Sequence, residues 1–97
     1  MTKATLLRDR KMVLPDGAIV QFRVWLVTAP VPPSEHCFKY SLYYGLDGER
    51  LLAYDNERGK GDHKHIGKDE MPYRFTDIDT LLNDFLADIE TLRGEPL

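Results

Sequence analysis

The feature that most constrains this chain is a one-sided helical stripe near its carboxy-terminal end. Ile78, Leu81, Leu82, Phe85, Leu86, Ile89 and Leu92 recur at three- and four-residue spacing, which places them on one face of an α-helix. A helix with one apolar face must cover another surface, and nothing before it reads as a second helix. The preceding residues alternate in polarity or carry turn chemistry, so the surface available is a β-sheet. Thr76 is the expected N-cap, Asp77 and Asp79 occupy the first turn where the helix dipole favours negative charge, and Gly94 and Pro96 stop the helix.

The strands are legible from alternation and from the turns between them. A first strand is expected over residues 3–14, followed by the turn Pro15-Asp16-Gly17 and a second strand over 18–28, in which Val20, Phe22 and Val24 share one face while Gln21, Arg23 and Trp25 share the other. Pro30, Pro32 and Pro33 make residues 29–35 a loop. A third strand over 37–46 sets Phe38, Tyr40, Leu42 and Tyr44 on one face. Asp47-Gly48 is a hairpin turn, and a fourth strand runs over 49–56. His63 to Ile66 has the character of extended chain, and Tyr73-Arg74-Phe75 is the expected fifth strand. The fold class is therefore α+β: an antiparallel, strongly bent sheet of four to five strands, built from two hairpins and packed by one carboxy-terminal amphipathic helix. With 97 residues the chain forms a single domain over 1–97.

Charge and composition exclude some functions. No apolar run approaches the ~20 residues of a membrane helix. The start of the chain lacks the apolar core of a secretory signal, and Cys37 is the sole cysteine; both fit a cytoplasmic protein. The net charge is −3, but the acidic excess falls in the tail, on Asp77, Asp79, Asp84, Asp88, Glu90 and Glu95. This distribution fits either an anionic ligand on the rest of the molecule or simply a solvated acidic helix face.

The chemistry concentrates in Tyr54-Asp55-Asn56-Glu57-Arg58-Gly59-Lys60-Gly61-Asp62-His63-Lys64-His65. In an extended segment His63 and His65 project from the same face, roughly 7 Å apart at Cα. Two imidazoles so placed can act as base and acid on either side of a phosphodiester, without a metal. Lys60, Lys64 and Arg74 are candidates for phosphate contact, and Gly59 and Gly61 for backbone approach to phosphate. Asp55 or Asn56 would orient an imidazole by accepting its other N–H. The alternative is a divalent-metal site, with Zn²⁺ or Mn²⁺ held by His63, His65 and either Asp55 or Asp62. The same composition also suits a plain solvent-facing loop. His36, among prolines and serine, reads as a loop residue. Tyr40 and Tyr44 read as core, whereas Trp25 and Tyr43 fall on the opposite face, available to stack bases or to meet a partner protein.

Tyr54-Asp55-Asn56, the Gly61-Asp62-His63-Lys64-His65 run and Pro72-Tyr73-Arg74-Phe75-Thr76 ahead of the acidic helix resemble the TumE family. Members often carry a His-His-Lys-His run. Asp62 stands at its first position here, which breaks any three-histidine metal set. The resemblance implies the toxin of a bacterial type II toxin–antitoxin pair, with a separately encoded antitoxin bearing a helix-turn-helix domain, an RNA target as the class expectation, no membrane, and homodimerisation left open. Carried over by position, the residues of interest are Tyr54, Asp55, Asn56, His63, Lys64, His65 and Arg74, with Tyr54 joining the RNA-contacting group. Two rival readings remain: a non-enzymatic module that binds a partner through Trp25 and Tyr43, and a metal-dependent nuclease or hydrolase.

Overall fold

The computed structural model describes residues 3–97. Six strands form one antiparallel sheet in simple meander order: β1 (Ala4–Val13), β2 (Ile19–Val27), β3 (Phe38–Leu46), β4 (Glu49–Glu57), β5 (Gly61–Ile66) and β6 (Asp69–Pro72). A single helix among the described residues, α1 (Ile78–Arg93), follows. The α+β class and the two hairpins agree with the sequence, but the sheet has six strands rather than four to five. The last strand is Asp69–Pro72, not Tyr73-Arg74-Phe75. Residues 73–75 instead belong to the connection that leads into α1. Irregularities between Leu6 and Arg8 and between Tyr44 and Gly45 interrupt the ladder, and bulges of this kind bend a strand and increase its twist.

Alternation decides which residues meet the helix. Val20 pairs with Tyr44, Val24 with Tyr40, Leu42 with Tyr54 and Tyr44 with Leu52, so these side chains line up across one face. With Ala18 and the helix residues Leu81, Phe85 and Ile89 they form the buried core. Burying the three helix side chains contributes on the order of 1.5–3 kcal/mol each. The N-cap is Asp77, not Thr76: its backbone is extended, and its carboxylate accepts from the Thr80 N–H at 2.7 Å. Both neighbours can cap a helix, and the turn geometry selects the second. Gly94, at φ 72°, closes the other end, its N–H donating to the Glu90 carbonyl.

The acidic face of α1 is partly occupied. Tyr73 Oη donates to Asp84 Oδ2 at 2.6 Å, and Tyr54 Oη donates to Asp88, which also accepts from Lys64 Nζ at 3.1 Å. A third pair joins Tyr40 Oη to Asp62 Oδ1 at 2.7 Å. Hydrogen bonds to charged groups are worth about 1.5–3 kcal/mol each, so the Tyr54–Asp88 and Tyr73–Asp84 bonds add to apolar burial in holding the helix. The Tyr40–Asp62 bond ties β3 to β5. Burial first, and then the carboxylate acceptor, push the Tyr40, Tyr54 and Tyr73 phenols well above the ordinary tyrosine range. A folded-state pKa above that of the unfolded chain means the stabilisation is complete below the unfolded value, about 10 for tyrosine, and is lost as pH rises past it. Tyrosinate absorbance from Tyr54 and Tyr73, whose partners lie on the helix, is therefore expected to appear together with loss of helical ellipticity above about pH 10. Ionisation of both while the helix stays intact would contradict these contacts.

Candidate active site

The face of the sheet away from α1 carries the clustered chemistry. Asp55 on β4 is the register partner of His63 on β5, Ala53 is the partner of His65, and His65 in turn pairs with Glu70 on β6. Residues at these positions point away from the core-lining Leu52 and Tyr54, because successive side chains alternate. Asp55, His63 and His65 each present a ligand atom within 4.8 Å of the other two. The two imidazoles meet edge to face, with ring centroids 5.0 Å apart. Glu70 Oε1 lies 3.9 Å from His63 Nε2.

His63 is held through one ring nitrogen. Its Nδ1 sits 2.8 Å from the Gly61 carbonyl, which can only accept, so Nδ1 carries the proton. Gly61 has φ +75°, and a Cβ there would come 3.0 Å from the Pro33 ring. Glycine allows the backbone turn that brings this carbonyl under the imidazole. The other nitrogen, Nε2, lies 2.7 Å from Asp55 Oδ1, but the pair is not aligned as a hydrogen bond, and both atoms are buried without a partner. His63 as a whole is only 3% exposed. His65 is half-buried and is the more accessible imidazole.

Several candidates lie elsewhere. Asn56, expected to orient an imidazole, is fully buried on the helix side, where its amide accepts from Tyr40 N–H at 3.0 Å and donates to the Phe38 carbonyl. Asp62, the alternative metal carboxylate, faces the same side and meets His36 Nε2 at 2.8 Å, Tyr40 Oη at 2.7 Å and Ser34 Oγ at 3.1 Å. Tyr54 and Lys64 both turn to Asp88 beneath the helix, with the ammonium 5.5 Å from the Tyr54 ring centre. The physical reason is the strand period: residues flanking His63 and Asp55 project from the opposite face. Lys60 stays at the rim of the cluster, 3.6 Å from Glu70, and Arg74 is exposed in the connection to α1. The Gly59 N–H, a candidate phosphate donor, is bonded to the Pro32 carbonyl at 2.8 Å. His36, in the β2–β3 connection, stacks on Phe75 at 3.9 Å between centroids. Glu70 is the neighbour that sequence reasoning missed. Its signal is the Gly67-Lys68 turn, which folds β6 back beside β5.

A shallow depression of about 150 Å³ opens on the same face, lined by Gln21, Arg23, Trp25, Ser41 and Tyr43. Ser41 is the register partner of Asp55, so this hollow adjoins the cluster. A larger hollow of about 460 Å³ lies far from it, between the β1–β2 turn and the end of the chain. Its Arg93 and Asp16 are already paired to each other at 3.0 Å. No helix among the described residues is long and apolar enough to cross a membrane.

The fold and cluster define a small meander-and-helix domain with one face closed by the helix and the other left open for chemistry or contact. A family model described as toxin TumE matches residues 3–93, nearly the whole chain, and the protein belongs to that family. Membership carries with it a cognate antitoxin as partner. No curated protein and no solved structure matches the chain.

Proposed function

We propose that this protein is the toxin of a two-component toxin–antitoxin pair, that it works in the cytoplasm, and that it cleaves RNA on the open face of its sheet. The observation that carries this reading is the convergence of Asp55, His63 and His65 within 4.8 Å of one another. The adjoining hollow supports it, since Trp25 and Tyr43 offer aromatic surface for an unpaired base and Arg23 a cation for the backbone. His65, half-buried, is the more accessible of the two imidazoles and so the one better placed to meet a bound RNA. A helix-turn-helix antitoxin is the partner this reading expects to neutralise it.

The test is direct. Purified protein is expected to shorten total RNA, and His65→Ala to slow that cleavage about a hundredfold or more, in the range of a lost active-site imidazole. Trp25→Ala is expected to raise KM with little change in kcat. A parent protein that leaves RNA intact, or a His65→Ala protein that cleaves at the parent rate, would rule the reading out. If only Trp25→Ala disturbs function, and it does so by abolishing antitoxin binding, the protein is an interaction module instead.

A further inference from the structure

We infer that Asp55, His63 and His65 bind a first-row divalent transition-metal ion, of the Zn²⁺ or Mn²⁺ class, on the open face of the sheet. The inference starts from an electrostatic misfit. The Gly61 carbonyl fixes the proton of a neutral His63 on Nδ1. The lone pair of Nε2 then lies beside Asp55 Oδ1, 2.7 Å away but off the line between the two atoms. Two lone pairs at that separation repel, and both atoms are out of reach of water and without a hydrogen bond. A positive charge between them removes the conflict. A proton serves badly here, because the N–H direction does not point at the carboxylate oxygen. A cation on that same axis, to one side of the line between the two atoms, can be reached by both at once.

Three further observations agree. His65 brings its ring within reach of the same point, completing a two-histidine, one-carboxylate set, a donor combination found for Zn²⁺ and other first-row ions with positions left open. His63 donates its remote N–H to a backbone carbonyl, the arrangement that normally orients a metal-bound imidazole. Glu70, 3.9 Å from His63 Nε2 at the open side, is placed to accept from a water on the ion or to join it as a ligand. A hard ion such as Mg²⁺ prefers oxygen donors and is not expected here. A bound ion would supply a Lewis acid beside the hollow lined by Trp25 and Tyr43.

Untagged protein stripped with chelator is titrated with Zn²⁺ in a calorimeter, with Mg²⁺ as the comparison. One Zn²⁺ per chain is expected, with a rise in the thermal midpoint and no response to Mg²⁺. His65→Gln, at a half-buried position that need not disturb folding, is expected to weaken binding about a hundredfold, as is Asp55→Asn. His36→Gln, on the other face, should bind like the parent. Absence of saturable binding, or binding as strong in His65→Gln as in the parent, overturns the site. The reading of binding needs no RNA. A protein that holds the ion but leaves RNA intact overturns the RNA proposal alone, and one that cleaves RNA but takes up no ion overturns this inference alone.

Discussion

Asn56→Ala is expected to cost about 2–6 kcal/mol of stability, because it strips partners from one buried and one part-buried main-chain group at roughly 1–3 kcal/mol each. The β3–β4 ladder runs through Ser41↔Asp55. Beyond that pair the Asn56 side chain takes over, its Oδ1 accepting from Tyr40 N–H and its Nδ2 donating to the Phe38 carbonyl. Alanine replaces neither bond, and the position is fully buried, so water cannot substitute. Asn56→Asp keeps the acceptor for Tyr40 but sets a carboxylate oxygen against the Phe38 carbonyl, and is expected to be no better. Urea unfolding of the three proteins measures this. A midpoint within experimental error of the parent for Asn56→Ala would show that these bonds are not made. An asparagine that positioned an imidazole would lower turnover and leave stability alone, the opposite signature.

Phe85→Ala carries a comparable penalty for a different reason. Phe85 is fully buried at the centre of the helix–sheet contact. Its ring meets Tyr54 edge-on at 5.8 Å, and Tyr54 in turn meets Tyr73 edge-on at 4.9 Å. Truncating a buried phenylalanine typically costs about 3–5 kcal/mol through lost transfer energy and the cavity left behind. Domains of this size hold only about 5–15 kcal/mol in total, so a large share of the fold's stability rests on this ring. Phe85→Leu fills part of the space and is expected to recover a substantial part of the loss. Equal urea midpoints for the alanine and leucine variants would mean that the site collapses without a cavity, against the packing described.

Most of the sheet could be read from the chain because its strands sit half in water. Val20, Val24, Tyr40 and Leu42 alternate with polar neighbours, and Pro15-Asp16-Gly17 and Asp47-Gly48 mark where the chain reverses. Asp69-Glu70-Met71-Pro72 escaped notice because it is an edge strand with little buried surface, so no apolar alternation was needed to hold it. In the cluster, the His-x-His spacing was visible, and so was the need for a carboxylate. The choice between Asp55 and Asp62 turned on register. Asp55 faces His63 across the ladder, and Asp62 faces Asn56. Asp62 adjoins His63 in the chain, and for that very reason points the other way. Lys64 and Tyr54 drop out of the RNA-facing group by the same rule. Asp84 and Asp88 looked like a solvated helix face because nothing local reveals that Tyr73 and Tyr54 reach them.

The meander order has a kinetic consequence. Each strand's partner is its immediate neighbour in the chain, so the sheet assembles by closing short loops, each at a small entropy cost. Chains rich in such local pairings fold quickly for their size. Asp55, His63 and His65 come from one hairpin closed by a three-residue reversal, so their mutual placement is established by a local step. The docking of α1 is the long-range event, bringing Asp88 to Tyr54 across 34 positions of sequence. Refolding is therefore expected to be limited by the docking of the helix onto the strands.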